Sequence, residues 1–160
     1  MIVEKEILLI VNQMLAVQFP QTAVYVNKCP GDFIRPSFFI EHVSTEQKDN
    51  SCKTVMKTVV FQITCFAPVD SHYHSDSELL MERQTDVLNL FRKGYIVIGD
   101  RAVKVKAVSS GFNEGEAYAE LQFEYCDDRL EEAGNETLIG SVSTKVKLKE
   151  GESWDFQISI

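Results

Sequence analysis

Two periodicities alternate along the chain. Ile7, Val11, Met14 and Leu15 recur at the three-and-four spacing of a helix, with Glu4, Asn12 and Gln13 off that stripe. Residues 2–19 therefore predict an amphipathic helix. Pro20 ends it, because the residue before a proline avoids helical angles. The period then drops to two. TAVYVN at 22–27 predicts a short strand and CPGD at 29–32 a turn. RPSFFIEHVS at 35–44 sets a proline, which has no N–H for a ladder, ahead of three large apolar residues. It predicts a short strand, followed by a polar loop over 44–53. The strongest strand signal is TVMKTVVFQITCFA at 54–67. There Val55, Val59, Phe61, Ile63 and Cys65 share one face and Thr58, Gln62 and Thr64 the other, with Lys57 breaking the apolar face near its start.

SDSE at 75–78 fits a capping box in which Ser75 and Glu78 satisfy each other's backbone amides. The helix after it places Leu80, Val87, Leu88 and Phe91 on one stripe. Arg92 and Lys93 suit its negative end, and Gly94 stops it. Three strand signals follow. YIVI turns at Gly99-Asp100 into AVKVKAV, and GFNEG turns that into AYAELQFEYC, where Leu121, Phe123 and Tyr125 alternate with Gln122 and Glu124. Helix, strands, helix, strands predicts an α+β fold, a largely antiparallel sheet with two helices packed on one face. Phe61, Ile63, Leu88, Phe91 and Phe123 are its expected core.

Residues 1–126 form the main domain on this reading, and acidic DDRLEEAGNE opens a linker over 127–140. Val142, Val146 and Leu148, then Trp154, Phe156, Ile158 and Ile160, alternate with polar residues that include Lys145, Lys147 and Lys149. Residues 141–160 thus predict a C-terminal β-hairpin extension. A lone hairpin is marginal in water and needs a surface to pack on, either its own sheet or a neighbouring subunit.

A net charge of −8 argues against a nucleic-acid-coating surface, which needs clustered Lys and Arg. The first apolar run, residues 7–11, is too short and too charged at its start for a signal peptide or a membrane span. Cys29, Cys52, Cys65 and Cys126 show no CxxC spacing and are expected as reduced thiols. DSHYHSD brings His72 and His74 to one side of an extended segment between Asp70 and Asp76, the best arrangement for a metal. Its position between a strand and a helix start also suits a solvated connector. No phosphate loop, nucleophile elbow or Cys/His motif occurs, and no catalytic residue, metal ligand or cofactor is assigned.

The order of pieces resembles the bacteriophage tail terminator proteins. The matching residues are Phe19-Pro20, Pro36-Ser37-Phe38-Phe39-Ile40, Phe66-Ala67-Pro68, the helix over 77–92 and Gly99-Asp100, within about residues 1–126. The resemblance implies a structural protein without enzymatic activity. Its expected form is a homohexameric ring that caps the tail tube, ends tube polymerisation and joins the neck or head. The same module occurs in contractile, headless bacteriocin particles. Implied partners are further copies of the chain, the tail tube protein, and a sheath, neck or collar protein, with no specific nucleic acid and no membrane. Assembly would take place in the bacterial cytoplasm, at the head-proximal end of the tail. Phe38, Ile40, Val146, Leu148, Trp154, Phe156, Ile158, Lys145 and Lys147 are the candidate subunit or partner contacts. A neck or tail-completion connector, and a metal-dependent enzyme using His72 and His74, are the alternatives.

Overall fold

The computed structural model describes residues 1–130, 141–147 and 153–159. It divides into two units, Met1–Arg129 and Leu130–Ile160. In the first, helix α1 (Glu4–Gln18) leads to β1 (Ala23–Val26), β2 (Ser37–Asp49) and β3 (Thr54–Phe66). Helix α2 (Ser77–Leu90) is followed by β4 (Tyr95–Ile98), β5 (Arg101–Asn113) and β6 (Glu116–Asp128). The strands lie in the order β1-β2-β3-β6-β5-β4. The sheet is mixed: β1 runs parallel to β2, and every other neighbouring pair is antiparallel. Parallel pairing follows from the long return over residues 27–36, where a tight turn would have reversed the chain. The sheet curls enough that α1 packs against both edge strands, β1 and β4.

The inner face holds one hydrophobic core. Val59, Phe61 and Ile63 of β3 and Ala119, Leu121 and Phe123 of β6 meet Ile7, Val11 and Leu15 of α1 and Leu80 and Val87 of α2. Phe91, just past α2, is also buried, and its ring stands edge-on to Phe123 at 6.5 Å. Leu88 is only half-buried against this core. The remaining inward position of α2 is Gln84, whose amide nitrogen donates to the carbonyls of Gly111 and Tyr118 at 3.1 and 2.5 Å. A buried amide is tolerable there because both hydrogens have partners.

Three local expectations change. The predicted polar loop over 44–53 is mostly strand, with β2 pairing β3 as far as Asp49 opposite Val55. Cross-strand pairing carries this exposed hairpin despite its polar letters, and Asn50, Ser51 and Thr54 close its turn with side-chain bonds. The helix cap is Asp76, whose carboxylate accepts from the Glu78 amide at 2.9 Å. Ser75 instead accepts from the Gly115 amide, so no capping box forms. Finally β6 runs on through Asp127 and Asp128, two residues into the stretch predicted as linker.

In the second unit β7 (Ser141–Lys147) pairs antiparallel with β8 (Ser153–Ser159), Val146 lying opposite Trp154.

Candidate assembly surfaces

Helix α1 is apolar on more than one side. Ile7, Val11 and Leu15 fill the core, yet Leu9 and Val17 are 55% and 74% exposed, and Leu8, Ile10 and Met14 are half-buried. A surface helix normally turns a polar face outward. Hollows flank it on either side. One, of about 390 Å³, lies against the β1–β2 side of the sheet, with Leu8, Leu9 and Val26 along it and Phe61 at its floor. The other, about 310 Å³, is lined by Ile10, Met14, Val17 and Leu90. At the sheet's far edge, Tyr95 and Val97 of β4 are exposed on the outer side.

One end of the sheet is held by Arg35. Its Nη1 donates to the carbonyls of Ala67 and Gly115 at 3.1 and 3.0 Å, and its guanidinium lies 5.1 Å from the rings of both Phe33 and Phe66. Arginine suits this place because its flat cation both stacks on aromatic faces and reaches separate carbonyls. Gly115 closes the β5–β6 turn at φ 73°, and a Cβ there would stand 2.8 Å from Arg35 Nη1, so both backbone angle and space call for glycine.

The opposite end carries charge inside. Asp127, with a fully buried side chain, accepts from Lys57 Nζ at 3.1 Å, and Lys57 is itself only 16% exposed. Arg101 approaches the same carboxylate at 3.6 Å and the Met1 amine at 3.9 Å. Burial pushes the Asp127 carboxyl up, but the Lys57 hydrogen bond and charge, the Asp128 amide and the Met1 amine outweigh it and hold it below its ordinary value. Beside it Tyr125 donates to the Ile2 carbonyl at 3.4 Å. Burial and the charges of Glu4 and Asp127 push that phenol up to about 12. The placement of Asp127 in an acidic linker is thus corrected: it is the buried anchor of this end.

His72 and His74 sit on an exposed loop with ring centres 6.4 Å apart. Asp70 organises the loop, accepting from the His72 and His74 backbone amides at 2.8 Å each. Those bonds, His74's first, hold its carboxyl below the usual range. The Asp70 carboxylate is therefore engaged with backbone. Among the described residues no three His, Cys, Asp or Glu side chains are grouped to hold a metal ion. Replacing His72 and His74 together with Ala is expected to leave the melting temperature and particle assembly unchanged. Loss of assembly by a variant with unaltered circular dichroism would show that the loop touches a partner or a metal.

The candidate contacts from the sequence separate into two groups. Phe38 and Ile40 are 1% and 0% exposed and belong to the subunit's own core, Phe38 with its ring 4.9 Å from that of Phe19. Both point inward because alternation puts Phe39, half-buried, on the other side. Their side chains are covered within the subunit itself. Lys145, Val146, Lys147, Trp154, Phe156 and Ile158 lie on β7 and β8, whose side chains are outside the described residues, as is Leu148 altogether. Sequence reasoning missed Arg35, Gln84, Asp127 and the second apolar side of α1.

Apolar hollows along α1 and exposed apolar side chains on β4 are surfaces of the kind that suits contact with other proteins. The family model for phage tail terminator protein matches residues 6–135, and the chain belongs to that family. Its role is therefore structural, in the phage tail and its assembly, in company with other tail proteins. A search of the curated proteins found no match. Among the described residues no helix is long and apolar enough to cross a membrane.

Proposed function

We propose that this protein forms the homohexameric ring that caps the tail tube, ends its polymerisation and presents a surface to the neck or collar. One observation carries the ring: α1 lies at the surface yet is apolar on more than one side, with Leu9 and Val17 exposed, so it has a second face to bury beyond the subunit's own core. Tube protein would meet one side of the ring and neck or sheath-associated protein the other. The net charge of −8 suits a lumen through which DNA slides without sticking. No cofactor and no catalytic step enter this reading. Purified protein is expected at the mass of six copies, and particles assembled without it should carry tubes of uncontrolled length. A monomer at every concentration, together with tubes of normal length in its absence, would overturn the proposal.

The C-terminal hairpin, residues 141–160, serves on this reading as an arm between subunits or onto the adjoining tube layer. A chain ending at Arg129 keeps the whole first unit. It is expected to fold, to elute as a monomer and to leave tubes uncapped. Light scattering of the truncated protein checks this, and normal assembly would show that the arm is dispensable.

A further inference from the structure

The two strands that stand second from the sheet's edges, β2 and β5, are covered along only part of their length. β1 pairs β2 over Ser37–Ile40, and among the described residues nothing pairs the outer side of β2 from Glu41 to Asp49. β4 pairs β5 over Arg101–Lys104, and the Val105 amide still donates to the Gly94 carbonyl at 2.9 Å. From Lys106 to Asn113 the outer side of β5 is bare in the same sense. Residues 42–49 and 108–113 are all exposed, Val43, Val108 and Phe112 among them. Natural sheet edges are guarded by charge, proline or shortness. The run from Ala107 to Phe112 has neither charge nor proline. Its bulge follows Ser109, so Lys106–Ser109 stays regular, as does Ser44–Asp49 beyond the bulge of β2.

We propose that the bare edge of β5 in one copy pairs antiparallel with the bare edge of β2 in the next, so that the sheet continues from subunit to subunit. Direction agrees: β2, β3, β6 and β5 alternate, so β2 and β5 run oppositely and a rotated copy presents β2 antiparallel to β5. The two edges lie on opposite margins of the sheet, which makes the contact heterologous, the kind that closes rings. They are also offset along the strands. Glu41–Asp49 of β2 is level with residues 120–127 of β6, and Lys106–Asn113 of β5 with residues 116–122. That offset of about four to five residues is about 15 Å, and the four strands from β2 to β5 span about 19 Å. Sliding each copy by this amount inclines the strands by about 38°, within the tilt of about 35–45° found in closed sheets. The stagger that bares the two edges thus has the size that closure needs. A second copy as the partner rests on the ring proposed above.

Since the Val105 amide points to the outer edge, alternation points those of Ala107 and Ser109 there too. Hydrogen exchange read by mass spectrometry, on full-length protein as a ring and diluted to single copies, tests the contact. Segments 44–49 and 106–109 should exchange slowly in the ring and fast in the single copy. Residues 120–124 of β6, paired on both sides within the subunit, should not change. Ser109→Pro deletes one outward amide and should lower the mass from six copies to one where Ser109→Thr keeps the ring. If circular dichroism shows Ser109→Pro unfolded, Gln47→Pro on the facing edge replaces it, with Gln47→Thr as control. A ring in which either segment exchanges as fast as in the single copy would overturn this contact and leave the ring standing. A folded proline variant that still weighs six copies would do the same. Slow exchange kept in the single copy would assign the edges to the chain itself, and slow exchange only after tube protein is added would assign them to the tube. Either result overturns the proposal. A single copy at every concentration removes the ring, and this contact with it.

Discussion

Asp127→Ala is expected to lose about 3 kcal/mol of stability at neutral pH, toward the lower end of what breaking a buried ion pair costs. The loss is large because the substitution leaves Lys57, only 16% exposed, charged and without its carboxylate at the edge of the core. It stays at the lower end because Arg101 and the Met1 amine are substantially exposed and can turn to water. The same carboxylate makes stability depend on pH, with a definite sign. Its folded-state pKa lies below the ordinary value. The native state therefore holds fewer protons than the unfolded chain over that interval. The stabilisation is fully present above the unfolded value, about pH 4, and disappears as pH falls through the lower folded one. Urea unfolding of wild type and Asp127→Ala at a series of pH values should give curves that are well separated at pH 7 and converge in acid. Parallel curves down to pH 2 would mean that Asp127 does not carry the acid sensitivity.

Most elements were legible because burial imposes a period. On β3 and β6 the inward residues recur at every second position, and on α2 Leu80 and Val87 lie a helical seven apart. In each case the apolar letters alone locate the buried side. The misreadings arise where a polar letter sits on an inward phase. Asp127 continues the parity of Leu121, Phe123 and Tyr125, and Lys57 holds that of Val55 and Val59. Taken as a pair of opposite charges on facing inward phases, they announce the buried bridge; taken singly, they resemble a linker and an interruption. Gln84 is the same case on a helix, four residues after Leu80 and three before Val87. The length of β2 was hidden for the opposite reason. Its outer half is exposed on both sides and held by pairing with β3, and pairing leaves no hydrophobic trace. The parallel placement of β1 depends on the path of residues 27–36, which no local pattern records. Phe38 and Ile40 show the limit for the candidate site. A run of three apolar residues fixes that a strand is buried, but whether the cover is its own helix or another subunit is decided by the rest of the fold.

Phe91→Ala is expected to cost about 3 to 5 kcal/mol, the usual range for emptying a core phenylalanine site, and to leave the protein largely unfolded or insoluble at 37 °C. Phe91 is 4% exposed and takes the position directly after α2, where its amide still donates to the Leu88 carbonyl at 3.1 Å. Its ring is the outer member of a chain of edge-on contacts, 6.5 Å to Phe123 and then 6.0 Å from Phe123 to Phe61. Removing it takes the apolar cover from β6 at the point where α2 ends, and Gly94 follows too soon for the backbone to slide another large side chain into the gap. Pairs of this geometry contribute about 0.5 to 1.5 kcal/mol beyond the area they bury, so Phe91→Leu, which refills most of the volume without an edge-on ring, should recover the larger part of the loss. Thermal unfolding of the three proteins should rank wild type above Phe91→Leu, and Phe91→Leu well above Phe91→Ala. An unchanged melting temperature for Phe91→Ala would mean that α2 does not bring this residue onto β6.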